Sequence, residues 1–424
     1  MELVLDPAAI ADKDVGGEDA LSSAPAATAP PQRSLVAIAE ELSAAFASRA
    51  ETLDAQGGFP AENVELFKNS ELHSMAFPSH LGGRDASMLD VTQVLRILAT
   101  GCPSTALIFN MHFALSGQLA HMARLEPEGI WKGWIDRIVE GRLLLGGALS
   151  ESGSWNAVMF PNATAEKVDG GYRVNANRSF CTGSSELDLI QGTALETLPD
   201  GSKRSIYFLF EPRQDGVAFK GDWDTMGMRG SHSQGVFLSD VHIPDSSVLY
   251  VYGYGMLDLS QIWLSFLAWS FIGFAAVYAG IGISARDLAV NTVRGRSRLP
   301  GTHPLSHKST TQIHVAQADI LNATMTAIRE DMARRYPVDA LVTPLTIMDT
   351  AIAKQVCVTG APQVVDHAMS IVGGQSYFRK FPLERMQRDV RAGPFHPFSV
   401  DDTLELLGKF GFGLPFLEPG GWAL

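Results

Sequence analysis

Apolar side chains recur at three- and four-residue spacing through SLVAIAEELSAAFASRAETLDA (34–55) and again through MLDVTQVLRILAT (88–100). That spacing gathers them on one side of a helix, so both stretches predict amphipathic α-helices. PSTALIFNMHFALSGQLAHMARL (103–125) predicts a third, more apolar helix, with Ser104 a candidate cap just after Pro103. From about Leu143 the texture changes. GGYRVNANRSF, SIYFLFEP, GVAFKGD and GVFLSDVHIP are short β-rich runs cut by Gly, Asp-Gly and Pro. They predict an antiparallel sheet or barrel of roughly 110 residues. Helical texture returns near Gly255, with long segments expected at 262–294, 308–334, 342–372 and 399–410. Helices, strands and helices in that order predict an α+β multidomain chain. Its parts are an N-terminal α-helical domain (34–142), a middle antiparallel β-barrel domain (143–254) and a C-terminal helical-bundle domain (255–424).

One helix in this scheme needs a decision. IWLSFLAWSFIGFAAVYAGIGIS, Ile262 to Ser284, carries no charged side chain and is long enough to cross a bilayer. It stands alone and lacks flanking basic anchors, which predicts a helix buried on all sides rather than a membrane span. At 424 residues the chain is long enough for about two to three domains and a large core. Its net charge of −13 repels polyanions and argues against a nucleic-acid partner. Cys102, Cys181 and Cys357 lie far apart and form no metal-like or CxxC spacing, as suits a reducing cytoplasm. The acidic start lacks the basic region of a secretory signal, and residues 1–33, rich in Ala, Pro and Ser, predict a disordered tail.

No GxGxxG, Walker or GxSxG motif occurs, and the eleven histidines do not cluster at metal spacing, so no metal is expected. Four short motifs remain, in fixed order. GGALSESGSW (Gly146–Trp155) stands at the entry to the β region, and NRSFCTGSSELDL (Asn177–Leu189) is a strand ending at Thr182. WDTMGMRGSHSQGVFLSDVHIP (Trp223–Pro244) follows, then IVGGQSYFRKFPLERMQRDVRAG (Ile371–Gly393). Each alone reads as a turn, a strand end, a hairpin or a helix stop at Gly373-Gly374.

Together, and in this order, they resemble the acyl-CoA dehydrogenase family of flavoproteins over nearly the whole chain after the tail. Ser150-Glu151-Ser152-Gly153 loosely matches the family's TEPGAGSD, and Phe180-Cys181-Thr182-Gly183 its WITNG-type strand. Met226-Gly227-Met228-Arg229-Gly230-Ser231 matches MGxRxS. Gly373-Gly374 through Tyr377, Pro382, Glu384-Arg385 and Arg388-Asp389 matches GGxGYxxxxPxERxxRD, the most specific of the four. The resemblance implies an N-terminal helical domain, a β-barrel and a C-terminal four-helix bundle, assembled as a homotetramer, a dimer of dimers. It also implies a flavin between barrel and bundle. Ser150 and the backbone near Leu149 are then expected to face the isoalloxazine, Phe180 to flank it, and the Thr182 hydroxyl to reach its N5 edge. Gly373 and Gly374 are expected to admit the pyrophosphate of a flavin held mainly by a neighbouring subunit, since glycines allow close backbone approach. Arg296 is a candidate phosphate partner, with Arg294 and Arg298 competing for that role. The persisting double glycine favours FAD over FMN. Two positions depart from the family: Asn156-Ala157 stand where Ser-Asp is usual, and Thr311 where a glutamine is common.

The family's dehydrogenases need a glutamate, with raised pKa, to take the α-proton of an acyl thioester. The usual address falls on Pro397, and the alternative address lies on the helix from Ile262, where no acid occurs between Asp258 and Arg286. Both are empty. His396, in RDVRAGPFHP, stands one residue before the first. Here the chain resembles the oxygen-activating branch of the same superfamily, in which a separate reductase supplies reduced flavin. With a reference pKa near 6.5, His396 is the candidate acid/base. Thr182 is the hydroxyl at the flavin edge, and His112, on the apolar face of an N-terminal helix, a second pocket residue. For both histidines a packed residue bonded to backbone is the competing reading; His121 and His232 read as surface or loop positions. The expected function is a flavin-dependent, monooxygenase-like oxidoreductase acting on a small molecule. The alternatives are an FAD-dependent dehydrogenase of an acyl thioester with a non-standard base, and a non-enzymatic thioester-binding use of the fold.

Overall fold

The computed structural model describes residues 33–154, 156–255, 260–301 and 303–414. The predicted tail, apart from Arg33, lies outside them. Among the described residues, six helices come first: α1 (Leu35–Ala47), α2 (Ala50–Gln56), α3 (Ala61–Lys68), α4 (Met88–Gly101), α5 (Pro103–Leu125) and α6 (Trp131–Gly141). A capping box opens α4, the Ser87 side chain accepting from the Asp90 N–H while Asp90 reaches back to the Ser87 N–H. Pro103 begins α5, where its missing N–H and fixed φ cost nothing.

Nine strands follow: β1 (Leu145–Gly147), β2 (Ser150–Glu151), β3 (Thr164–Val168), β4 (Gly171–Cys181), β5 (Leu189–Thr197), β6 (Lys203–Phe210), β7 (Val217–Phe219), β8 (Gln234–Pro244) and β9 (Val248–Gly253). They form one sheet in the order β7-β8-β4-β3-β5-β6-β9, with β1 beside β5 and β2 beside β4. Most ladders are antiparallel, as expected, but β1–β5 and β3–β5 are parallel. No pairing between β7 and β9 closes the sheet among the described residues. The long β4–β8 ladder breaks register between Arg178 and Cys181, a bulge that re-aims the residues between them.

The last helices are α7 (Gln261–Val293), α8 (Ser309–Arg334), α9 (Pro344–Val372), α10 (Pro382–Asp389) and α11 (Val400–Gly411). The uncharged stretch lies inside α7, where 83% of the most apolar window is buried. It is apolar all round because it is covered all round, by α4 and α5 from the first helical layer and by α8 and α9 from the last. Two glycines permit the close crossings. A Cβ at Gly280 would stand 2.5 Å from the Arg96 carbonyl of α4, and one at Gly273 would collide with the Asn110 side chain of α5. A contiguous apolar cluster runs from Ile38 through Val174, Phe208 and Phe271 to Leu406, so helices and sheet share one core.

Candidate active site

The bulge near the end of β4 builds the first part of the site. Phe180 sits there with φ 57°, a conformation costly for a bulky residue, and its ring is 66% exposed. Beneath it Ser179 pairs with Ser150 of β2, and Arg178 pairs with Glu151. Arg178 and Glu151 also form an ion pair at 3.1 Å, with side chains 1% and 2% exposed. Glu151 further accepts from the Asn162 and Ala163 N–H groups, and Arg178 donates to the Thr193 carbonyl. Thr182 follows the strand and is buried. Ser233 donates to its hydroxyl at 3.0 Å, and Ser231 lies 2.8 Å from Ser233. Since the Ser233 proton goes to Thr182, Ser231 must donate to Ser233. The chain of hydroxyls is therefore polarised toward Thr182, whose own proton has no acceptor among the described residues.

Leu149 packs against the second apolar cluster, formed by α5, α6 and the sheet. Asn156 is turned inward on its own loop: its side-chain oxygen accepts from Val158 N–H at 2.9 Å, which makes it a turn-former. Arg296 reaches the double-glycine turn, donating to the Gln375 side chain at 2.6 Å. Arg298 lies there too, its guanidinium 3.4 Å from where a Cβ on Gly373 would stand, and Gly374 faces open space. Gly373 has φ 74°, which only glycine adopts readily. Of the three competing arginines, then, Arg296 and Arg298 flank this turn.

His396 stands at the far end of the 3-10 turn that follows α10. Its ring stacks on Phe274 with centroids 4.3 Å apart, and its Nε2 lies 2.7 Å from the Tyr278 hydroxyl. Both partners come from α7. The loop itself is held by Lys354 of α9, whose ammonium donates to the carbonyls of His396, at 2.7 Å, and of Phe398. Burial, then the Lys354 charge, pushes the imidazole down to about 3. The ring is therefore neutral at physiological pH, which corrects the expectation of an imidazole poised near 6.5. Burial likewise lowers Lys354 to about 7, against the pull of Asp402, and holds the Tyr278 phenol well above its ordinary value. No carboxylate bonds to His396 among the described residues.

His112 takes no part in this cluster. Its Nε2 lies 2.7 Å from the His73 carbonyl and its Nδ1 accepts from the Leu145 N–H at 3.3 Å, so backbone occupies both nitrogens. The structure thus gives His112 the packed, backbone-bonded place, and leaves it no free nitrogen for a pocket role. His121 is buried, not at the surface, with its ring against Tyr336; His232 occupies a half-buried loop. Sequence reasoning missed Tyr278 and Lys354. A signal existed: one lysine inside TAIAKQVCV, and one phenol inside a helix buried all round, each needing a partner.

The most specific motifs turn out to be a clamp. Asp389 accepts from the Met228 N–H at 2.6 Å, and a Cβ on Gly227 would stand 2.3 Å from the Arg388 carbonyl. Arg388 bridges Asp54 of α2 and Glu384 of α10 and also donates to the Met226 carbonyl. Arg229 donates to the Asp54 carbonyl. Three layers of the fold are tied at this point, with burial raising Asp389 to about 6. A cavity of about 430 Å³, lined by Arg173, Asp215 and His242 among others, opens on β8 and shares no residue with the site.

These residues fit a flavin: an exposed aromatic at a strained bulge, a hydroxyl with an unspent proton, and two guanidiniums beside a glycine turn open to a phosphate. Comparison with known proteins agrees. The family model of the acyl-CoA dehydrogenase N-terminal domain matches residues 31–131, and that of the acyl-CoA dehydrogenase C-terminal domain matches 272–400. The chain is 26% identical over 361 residues to "Putative acyl-CoA dehydrogenase YdbM" of Bacillus subtilis (strain 168), covering 85% of this chain and 91% of that one. It is 26% identical over 370 residues to "Amino sugar nitrososynthase RubN8" of Streptomyces rubradiris, covering 85% of each. Among solved structures, FMN-bound TdsC from Paenibacillus sp. A11-2 superposes with a TM-score of 0.80 at 23% identity, over 89% of this chain and 97% of that one.

Proposed function

This chain belongs to the acyl-CoA dehydrogenase superfamily of flavin-dependent oxidoreductases, and from that premise we propose that it is an oxygen-activating, monooxygenase-like enzyme with His396 in place of the usual glutamate. The observation that carries the reading is the His396 cluster. Where a dehydrogenase needs a carboxylate base, this chain has an imidazole backed by a phenol, and among the described residues no acid bonds to it. An imidazole pushed down to about 3 is a poor base for a thioester α-proton, whereas a neutral ring remains a good hydrogen-bond donor. Bound flavin supplies the redox chemistry. The residues of the chain do the rest. Phe180 offers an aromatic face, and the Thr182 hydroxyl donates from the end of a buried chain of serines. Arg296 and Arg298 place positive charge where a phosphate would meet Gly373 and Gly374. Stacking on Phe274 fixes the His396 plane and keeps water from one face of the ring.

The arginines beside the double glycine favour FAD over FMN, since FAD brings a second phosphate. The reading includes a homotetramer and a separate flavin reductase as partner; exposed Tyr377 and Phe395 suit contact between copies. The dehydrogenase reading is favoured by one observation, the complete ERxxRD segment, yet here those residues serve the clamp rather than the chemistry. Spectra decide between the two. The bound flavin is reduced anaerobically, oxygen is admitted, and absorbance is followed. A long-lived species distinct from oxidised and reduced flavin supports oxygenation. Bleaching of the oxidised flavin by an acyl-CoA, with no such species, rejects it.

A further inference from the structure

The His396 cluster defines more than the presence of an imidazole. Its Nε2 is 2.7 Å from the Tyr278 hydroxyl, and no partner for its Nδ1 occurs among the described residues. Either atom of the pair could carry the shared proton, and elementary acidity decides. A phenol is a far stronger donor than a neutral imidazole N–H, and an imidazole nitrogen a far stronger acceptor than a phenol oxygen. The arrangement O–H···Nε2 is therefore favoured, which puts the ring's own proton on Nδ1. Rotation of the ring is restrained by Phe274, whose plane lies 16° from it. Translation is restrained by Lys354, 1% exposed, which grips the carbonyls on either side of Pro397.

We propose that Tyr278 and Lys354 are positioning residues that hold His396 in the Nδ1–H tautomer, with that N–H left free as a fixed donor to the substrate or to activated oxygen. The inference rests on the oxygenase reading for its chemical purpose, but the tautomer itself does not. The charged and titratable groups around the ring are few: Tyr278 from α7 and Lys354 from α9, with Asp402 of α11 acting on Lys354 and Asp389 of α10 acting on Tyr278. None is a carboxylate bonded to the ring, so nothing pulls a second proton onto it. Sequence spacing could not have shown this, because the three residues lie on three separate segments.

The test is nitrogen-15 spectroscopy of histidine-labelled, flavin-loaded full-length protein, with His396→Gln identifying the signal. The expected wild-type result is a protonated Nδ1 and a bare Nε2, unchanged between about pH 6 and 8. Tyr278→Phe is expected to admit the other tautomer and to lower kcat roughly tenfold with KM little changed. Lys354→Met should give the same spectral change, and Lys354→Arg should restore the wild-type spectrum, since a guanidinium can also serve two carbonyls. A protonated Nε2 in the wild type overturns the proposal, and that spectrum decides the matter even if a variant fails to fold. An unchanged tautomer in Tyr278→Phe overturns it as well. Normal turnover in His396→Gln alongside the expected tautomer would instead reject the oxygenase reading and leave the tautomer assignment standing.

Discussion

The buried pair of Arg178 and Glu151 supports the corner that carries Ser150, Phe180 and Thr182, so breaking it tests that the site depends on that corner. Glu151→Gln keeps the shape but removes the charge facing Arg178 at 3.1 Å, and its NH2 cannot accept, so only one of the two backbone N–H groups keeps its partner. The guanidinium, 1% exposed, would keep only Thr193 as partner. Leaving one member of a buried pair uncompensated costs about 3–5 kcal/mol. For a folded unit of nearly 400 residues the unfolding entropy is about 0.8 kcal/mol/K, so a loss of about 4 kcal/mol lowers Tm by about 5 °C. Thermal unfolding followed by circular dichroism reads this directly. Because the same ladder positions Phe180, flavin affinity, measured by fluorescence titration, should weaken in the same variant. Arg178→Met in the Glu151→Gln background should recover part of the Tm, since an apolar side chain no longer carries a buried charge. A Glu151→Gln protein melting within 1 °C of wild type, by the same estimate, would refute the reasoning.

His396→Ala should abolish turnover while flavin affinity changes less than about twofold, because its side chain bonds and stacks with Tyr278 and Phe274 of α7 rather than with the glycine turn or the β corner among the described residues; unaltered steady-state rates would reject its role. Thr182→Val removes the donor at the end of the serine chain and should cost about 10-fold or more in kcat, with Tm changed by little, since Ser233 can still bond Ser231. Lys354 gives a pH signature in stability. Its folded value of about 7 lies below the unfolded 10.5, so the folded state binds fewer protons between them and stability rises as pH increases from 7 toward 10. Lys354→Met should flatten that rise in chemical unfolding measured across the range.

Much of the architecture could be read along the chain. The segments predicted at 262–294, 308–334, 342–372 and 399–410 each overlap a helix, α7, α8, α9 and α11, because long apolar periodicity is a strong signal. The strands β1, β2, β3, β5 and β9 were not singled out. β1 and β2 are only a few residues long, and β5 carries Gly192 and alternates weakly, its residues being buried on both faces. For the candidate site, motif spacing singles out Thr182, Phe180, the double glycine and His396. It could not show that Asn156 is spent on its own turn, that His112 has both nitrogens bound by backbone, or that Tyr278 and Lys354 surround His396. The Asn156 turn depends on local backbone geometry, and the histidine contacts depend on how separate segments pack, the farthest apart being Tyr278 and His396.

The clamp and the His396 cluster are constrained differently. Gly227, Met228, Arg388 and Asp389 bear on one another through backbone atoms and a buried carboxylate. Almost any change there introduces a collision or an unpaired polar group, so the pattern is rigidly tied to the fold. The position of His396 is under no such constraint. It sits in a loop beyond the clamp, held by one lysine and backed by one aromatic face, and a carboxylate or an imidazole could be carried there without disturbing the three layers. On the proposed function, a reaction would therefore be exchanged on this scaffold by altering a few residues around one loop. Flavin-binding features and ERxxRD motifs thus report which scaffold is present, and on the proposed function it is the residues packed around His396 that would report the proton chemistry.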